Sequence, residues 1–324
     1  MEQELGMIDS NTRDVTNPRT AYLFPGQGSQ QVGMGKDLYE NSLVARRIFD
    51  EADNALGRSL TGLMFEGPVE DLNLTINAQP AILTASLACL SAVQEVAGPG
   101  VIPEPDYAAG HSLGEYTALA ATGVLSIPEA VRLVQERGRL MHETSQSHQG
   151  GMAAVLGLDE LTLEEICRET GAYISNVNAE DQIVIAGDKI TLARAMDLAS
   201  ARGAKRLITL QVSGAFHTDL MKPAVAGMTE AMNAVHFNSP SVPIIANCNA
   251  NPLMDETAIR EELIHQMCGC VQWRRSMSYL WDAGVTQFYE IGPGKVLSGL
   301  IRRNCPDAQV TAVNDVRSLQ SLVG

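Results

Sequence analysis

The feature that most constrains this chain is the segment Gly110-His111-Ser112-Leu113-Gly114, which places a serine between two glycines. An apolar stretch over residues 107–110 precedes it, and an alanine-rich stretch over residues 115–121 follows it. These patterns predict a buried strand and a helix joined by a sharp turn, in which the glycines avoid Cβ clashes and the serine hydroxyl stands clear of the backbone. The N–H groups at the start of the helix then stabilise negative charge beside the hydroxyl. We therefore predict that Ser112 is a nucleophile, with an ordinary strand–helix turn as the alternative.

Strands and helices alternate along most of the chain, which predicts a parallel α/β sheet. Between residues 150 and 213 the order changes to strand, helix, strand, strand, helix, strand, which is the ferredoxin-like unit. We therefore predict a large α/β domain, formed by residues 19–149 and 214–324, and a small α+β domain inserted at 150–213. The first 18 residues are polar, and we expect a disordered leader there.

A nucleophilic serine needs a general base, and the chain has six histidines. His217 lies in a glycine-containing loop directly after the predicted insert, where a return to the large domain would bring it over Ser112. His217 is therefore the candidate base, and a surface or core histidine is the alternative. An α/β-hydrolase esterase carries an Asp or Glu between serine and histidine in chain order, but none stands at an evident strand end. The carboxylate of a triad stays unassigned.

The net charge, apolar stretches and cysteines of the chain limit the classes of partner that it can bind. The formal net charge of −15 disfavours nucleic acid and anionic membranes. No apolar stretch reaches the ~20 residues that span a bilayer, so we expect no membrane segment. The six cysteines show no disulfide framework and no metal-ligand spacing. We expect a cytoplasmic monomer with free thiols, no metal and no bound cofactor.

Motifs spread in order from about Arg19 to Val316 resemble those of the malonyl-CoA:acyl carrier protein transacylases. The matching segments are Leu23-Phe24-Pro25-Gly26-Gln27-Gly28-Ser29-Gln30, Gln79-Pro80-Ala81, Gly110-His111-Ser112-Leu113-Gly114-Glu115-Tyr116, Arg137-Gly138, Gly214-Ala215-Phe216-His217, Val271-Gln272-Trp273 and Glu290-Ile291-Gly292-Pro293-Gly294.

The resemblance implies a hydrolase-like parallel-sheet core with an inserted ferredoxin-like subdomain. It also implies a ping-pong reaction, in which Ser112 takes the malonyl group of malonyl-CoA as an ester and passes it to the phosphopantetheine thiol of acyl carrier protein, supplying fatty acid synthesis. His217 would serve as base and acid in both half-reactions. Coenzyme A and the carrier would be the partners, and no bound cofactor would be required.

The resemblance also implies roles for individual residues. The backbone carbonyl of Gln272 would orient His217, which removes the need for a triad carboxylate. The backbone N–H groups of Gln27 and Leu113 would form the oxyanion hole. Arg137 would bind the malonyl carboxylate through its planar fork.

Further roles concern selectivity and docking. Phe216 would crowd an α-methyl branch, although one or two methylenes are worth only ~1–3 kcal/mol of discrimination. Asn176 and Asn178 would line the cleft. Lys205 and Arg206 would help to dock the acidic carrier. Local basic residues of this kind would explain how a chain of net charge −15 binds an acidic carrier and the phosphates of coenzyme A.

Three alternatives stay open at this point. The enzyme would serve a polyketide pathway as a trans-acting malonyltransferase, or it would hydrolyse acyl thioesters through the same serine. A non-catalytic docking protein that keeps the fold is the third, and the intact set of Ser112, His217 and Arg137 argues against it.

Overall fold

The computed structural model describes residues 18–323, and two sheets organise them. The larger sheet has six strands in the order β10-β9-β1-β2-β7-β8, all parallel except β8. Its strands are β1 (Arg19–Phe24), β2 (Tyr107–Gly110), β7 (Ile244–Ile245), β8 (Pro252–Leu253), β9 (Val285–Ile291) and β10 (Gln309–Val313). The predicted leader lies almost entirely outside the described residues.

The second sheet is antiparallel, with the order β4-β5-β3-β6. Its strands are β3 (Gly150–Leu156), β4 (Tyr173–Ala179), β5 (Gln182–Asp188) and β6 (Arg206–Thr209). Two helices, α8 (Glu160–Thr170) and α9 (Lys189–Ala201), pack on it and enclose a small apolar core of their own. This order and connectivity are those of the ferredoxin-like unit, and the predicted fold class is confirmed. The division of the chain at residues 150 and 213 stays a proposal.

The remaining helices cover the larger sheet. They are α1 (Lys36–Asn41), α2 (Leu43–Leu56), α3 (Leu60–Glu66), α4 (Val69–Leu72), α5 (Thr75–Ala92), α6 (Leu113–Ala121), α7 (Ile127–Ser147), α10 (Lys222–Asn233), α11 (Glu256–Gln266), α12 (Trp273–Asp282), α13 (Val296–Asn304) and α14 (Val316–Gln320). A π-helical turn, Val93–Ala97, continues α5, and a 3-10 turn, Asp219–Met221, precedes α10.

Helix α5 with its π-helical continuation, Thr75–Ala97, is the one described segment long and apolar enough to cross a membrane. The expectation that no apolar stretch reaches the length of a membrane span is therefore wrong for this segment. Most of it, 78% of the apolar window, is buried inside the fold. It packs against α2 and α7 as a core helix, which accounts for its apolar composition on all sides.

The carboxyl ends of the parallel strands gather the loops that matter for function. The loops after β1, β2, β7 and β9 all leave from this edge, where α/β sheets usually bind ligands. In register, Phe24 at the end of β1 pairs with Gly110 at the end of β2. The loop after β1 and the serine turn after β2 are therefore neighbours.

Candidate active site

The turn between β2 and α6 holds Ser112 at a positive φ of 53° with a ψ of −105°. This is strained for a residue with a side chain. A Cβ on Gly110 would lie 1.9 Å from the carbonyl oxygen of Gly114, and one on Gly114 would lie 2.0 Å from that of Phe24. Both glycines are therefore required by close packing of backbone on backbone, as the sequence pattern predicts.

His217 lies against the serine. Its Nε2 is 2.7 Å from the Ser112 Oγ, and its Nδ1 is 2.8 Å from the backbone carbonyl oxygen of Gln266. A carbonyl only accepts, so Nδ1 carries the proton and Nε2 is free to accept from the serine hydroxyl. The imidazole is thus held in the tautomer that a general base needs.

The prediction that Gln272 supplies this carbonyl is wrong. Gln272 precedes α12, and its carbonyl accepts from the N–H of Ser276 in the first turn of that helix. Gln266 is the last residue of α11, where the final carbonyl groups have no partner within the helix. That free carbonyl, at the negative end of the helix dipole, faces the imidazole.

Arg137 projects from α7 into the site and is buried, with 1% of its surface exposed. Its two Nη groups donate to the side-chain carbonyl oxygens of Gln79 and Gln266, both at 2.8 Å, and to the Ser112 Oγ at 3.2 Å. Its Nε has no hydrogen-bond partner, and none of the carboxylates in residues 18–323 forms an ion pair with it. Burial lowers its pKa. A buried cation held only by neutral groups is prepared for an anionic ligand.

The two predicted oxyanion donors line the same cavity as Ser112. The Leu113 N–H is the first of α6, and the Gln27 N–H lies in the loop after β1. Among the described residues neither N–H has a protein acceptor. The Ser112 N–H, by contrast, donates to Asn247 Oδ1 at 2.7 Å. Leu113 and Gln27 thus present free N–H groups at the cavity, as an oxyanion hole requires.

A cavity of about 230 Å³ surrounds these groups. One wall comes from the loop after β1, the serine turn and α13, and the other from the small sheet. The small sheet and the chain segment directly after it contribute mostly apolar side chains, namely Met152, Ala154, Val184, Leu210 and Val212, together with Gln182. The cavity therefore lies between the two sheets and combines a polar floor with an apolar wall.

The predicted substrate-binding residues Phe216, Asn176 and Asn178 all line this cavity and are buried. The Asn178 side chain is hydrogen-bonded through its Oδ1, which lies 2.8 Å from His111 Nε2. The Asn176 Oδ1 accepts from Ser175 at 2.6 Å. The structure thus places all three at the site, with the two asparagine carbonyls already engaged.

Lys205 and Arg206 lie elsewhere. They are exposed at the start of β6, and the same chain segment reaches the cavity only at Leu210. Neither belongs to an ion pair among the described residues, whereas Arg274 pairs with Glu160 and Arg303 pairs with Asp181. The pair is therefore a free basic patch about 13 Å along the strand from the cavity wall, at 3.3 Å per residue.

Four residues at the site received no role from the sequence. Gln79, Glu115, Asn247 and Gln266 are all buried amides or acids that hydrogen-bond to Ser112, Arg137 or each other. Gln79 and Glu115 belong to motifs that resemble those of the transacylases, so the sequence could have indicated that both lie near the site. Asn247 and Gln266 lie at the end of a strand region and of a helix, and nothing local distinguishes them.

The pH dependence of acylation follows from the surroundings of His217. Burial and the neighbouring positive charge of Arg137 lower its pKa from 6.5 to about 3. The neutral imidazole is the active base, and activity is lost only when the pH falls through this pKa. We expect the single-turnover rate of serine acylation to show no loss near pH 6.5. An acid limb centred near 6.5 in rapid-quench measurements would contradict this.

Comparison with known proteins agrees with the resemblance carried by the sequence motifs. The family model described as acyl transferase domain matches residues 21–320. The malonyl CoA-acyl carrier protein transacylase of Bacillus subtilis (strain 168) is 45% identical over 307 residues, covering 93% of this chain and 95% of that protein.

Solved structures agree in fold. The acyl-carrier-protein-S-malonyltransferase of Bartonella henselae superposes with a TM-score of 0.89 at 41% identity, covering 94% of this chain and 98% of that one. A malonyl-transacylase in complex with a type II polyketide acyl-carrier protein gives a TM-score of 0.90 at 39% identity, covering 94% and 99%.

Proposed function

Because the chain belongs to the acyl transferase domain family, we propose that it transfers the malonyl group of malonyl-CoA to the phosphopantetheine thiol of acyl carrier protein. The transfer serves fatty acid synthesis. The enzyme is an acyltransferase, and the chain needs no further cofactor for the chemistry below.

In the first half-reaction His217 Nε2 takes the proton of the Ser112 hydroxyl as Oγ attacks the thioester carbonyl. Negative charge develops on the carbonyl oxygen, and the N–H groups of Gln27 and Leu113 receive it. The carbon–sulfur bond then breaks, the protonated His217 returns the proton to the departing thiolate, and coenzyme A leaves. Malonyl-Ser112 remains.

The second half-reaction reverses these roles. The carrier thiol gives its proton to His217, and its sulfur attacks the ester carbonyl. The bond to Ser112 Oγ breaks, and His217 protonates the serine. Because coenzyme A and the carrier both present a pantetheine arm, as the thioester donor in the first step and as the thiol acceptor in the second, one cavity serves both steps in turn.

The observation that carries the substrate assignment is the buried Arg137 beside Ser112. An uncharged acyl group leaves this cation without an anion, whereas malonate supplies two oxygens for its fork. The same observation disfavours a general thioester hydrolase. In addition, His217 Nδ1 hydrogen-bonds to a backbone carbonyl, whereas in an esterase triad it would hydrogen-bond to a carboxylate.

Intact-mass spectrometry tests the proposal. Incubation with malonyl-CoA is expected to add one malonyl group, and holo acyl carrier protein is expected to remove it and gain the same mass. Parallel incubations with methylmalonyl-CoA and acetyl-CoA measure selectivity at Phe216 and Arg137. Release of free malonate at the same rate with and without carrier would establish the hydrolase instead.

The polyketide alternative is favoured by one specific observation, the similarity to a transacylase solved with a type II polyketide carrier. Fatty acid and polyketide carriers present the same thiol, so the site serves either. Comparing kcat/KM for the two carriers decides between them. A cytoplasmic location and a monomeric state stay predictions.

We further propose that Lys205 and Arg206 attract the acidic carrier. Reversing both charges, K205E/R206E, is expected to raise the carrier KM about tenfold at low salt and to flatten its salt dependence, because unpaired surface charges act mainly on encounter. The KM for malonyl-CoA in the acylation step should change less.

The matched control is K189E/R194E, which makes the same charge change on exposed residues of α9 in the same subdomain. An equal rise in carrier KM in both variants would show a general charge effect and remove the docking role.

A further inference from the structure

Glu115 lies in the first turn of α6, three residues after Ser112, and its side chain is fully buried. Its two oxygens face two different chain segments. Oε1 accepts from the backbone N–H of Asn247 at 3.0 Å, and Oε2 accepts from the Gln266 Nε2 at 2.5 Å. Glu115 therefore ties the loop after β7 and the end of α11 to the helix that follows the serine.

Gln266 carries this connection to the reacting groups. Its Nε2 also donates to the Ser112 carbonyl at 2.9 Å, and its Oε1 accepts from Arg137 at 2.8 Å. Its backbone carbonyl holds His217. The two ends of an amide have the same shape, so its orientation is decided by its partners. Arg137 only donates and the Ser112 carbonyl only accepts, and Glu115 Oε2 adds a second acceptor that holds the orientation in which Oε1 faces Arg137.

Asn247 carries the connection to the strained turn. Its Oδ1 accepts from the Ser112 N–H at 2.7 Å, and its Nδ2 donates to the Gly110 carbonyl at 2.8 Å. Together with Gln266, it holds the backbone on both sides of a serine at φ 53°. A strained conformation of this kind persists only where its surroundings fix it.

We propose that Glu115 is a positioning residue for the acyl transfer, which holds Asn247 and Gln266 so that Ser112, His217 and Arg137 share one geometry. The inference rests on the proposed function, since it concerns the same reaction. Glu115 touches neither the substrate nor the reacting atoms, and it acts through the two amides.

Another buried acid provides the comparison. Glu262 on α11 is 4% exposed and accepts from the Cys248 N–H at 2.8 Å, and it also lies near the Asn247 backbone N–H that donates to Glu115. Among the described contacts it has no hydrogen bond to the Gln266 side chain. Burial and Glu262 raise the pKa of Glu115, and burial also raises that of Glu262. The two acids thus share burial and a position beside the Asn247 backbone, and among the described contacts only Glu115 hydrogen-bonds to the Gln266 side chain.

The test is Glu115→Gln beside Glu262→Gln. Glutamine has one acceptor oxygen, so at position 115 its NH₂ must face one of two N–H donors. We expect single-turnover acylation by malonyl-CoA to fall about 10²-fold, as for a small misplacement of reacting groups. We also expect the ratio of malonyl to acetyl transfer to fall at least fivefold. E262Q should keep both within about twofold of the unsubstituted enzyme.

The ratio separates positioning from folding. A variant that only unfolds in part loses active enzyme for both acyl groups equally, so its ratio stays unchanged. An unchanged ratio in E115Q, or an equal fall in E262Q, overturns the inference. Should E115Q not fold, Glu115→Asp against Glu262→Asp carries the same comparison, and an unchanged rate and ratio in E115D overturns it. If the unsubstituted enzyme forms no malonyl ester at all, the proposed function fails first and separately.

Discussion

Replacing Ser112 with alanine is expected to abolish the covalent malonyl-enzyme. The ester oxygen comes from the Ser112 Oγ, and this atom is the one hydroxyl within hydrogen-bond distance of His217 Nε2 among the described residues. Loss of the nucleophile in a serine hydrolase costs about 10⁶-fold in turnover, and a comparable loss is expected here. Intact-mass measurement after incubation with malonyl-CoA should show unmodified protein.

A cavity-lining serine without a base provides the control. Ser29 lines the same cavity, but its hydroxyl donates to the Gly26 carbonyl at 2.8 Å. Ser29→Ala should therefore still form the malonyl ester. An adduct on Ser112→Ala that survives removal of non-covalently bound coenzyme A would place the nucleophile elsewhere and end the mechanism proposed above.

The serine turn could be predicted from the sequence because its causes are local. A side chain at Gly110 would clash with Gly114, and one at Gly114 would clash with the end of the adjoining strand β1. The strand before the turn and the helix after it also have clear sequence patterns. The ferredoxin-like unit could also be predicted, because it is recognised from the order of strands and helices along the chain alone. Local patterns also placed the helix that carries Arg137.

Contacts between distant segments could not be predicted in the same way. The carbonyl that orients His217 comes from Gln266 and not from Gln272, although the two are six residues apart in one motif-rich region. What distinguishes them is that Gln266 ends one helix and Gln272 directly precedes another, and sequence patterns fix such helix boundaries only to within a few residues. Predicting this hydrogen bond required the exact end of α11.

The buried polar network below the serine shows the same limit. Glu115 appears in the serine motif, yet its partners Asn247 and Gln266 lie 132 and 151 residues further along the chain. Only the fold, which sets the end of α11 and the loop after β7 beside the start of α6, brings them together. A buried acid is costly without donors, so its presence indicates partners without saying which ones.

Replacing Arg137 with alanine is expected to remove the preference for malonyl over acetyl groups. Truncating one partner of a buried charged hydrogen-bonded pair typically costs about 2–5 kcal/mol, or about 30-fold to several-thousand-fold in kcat/KM. That loss should fall on malonyl-CoA, because only malonyl presents a carboxylate to the fork. Acetyl presents no carboxylate to the cation, so acetyl transfer should fall far less, through the loss of the hydrogen bonds to Ser112 and the two glutamines alone. The measurement is kcat/KM for both thioesters with a fixed carrier concentration.

Arg139→Ala is the matched control, since Arg139 lies on the same helix but is partly exposed and paired with Glu136 and Glu143. Surface pairs of this kind contribute about 0–1 kcal/mol, and the malonyl preference should survive their loss. Arg137→Lys separates charge from geometry. One ammonium cannot hold Gln79 and Gln266 and also grip a carboxylate with two parallel hydrogen bonds, so a reduced but remaining preference is expected. If Arg137→Ala keeps the full malonyl preference, the carboxylate is bound elsewhere in the cavity, and the buried arginine serves only to hold the two glutamines and Ser112 in place.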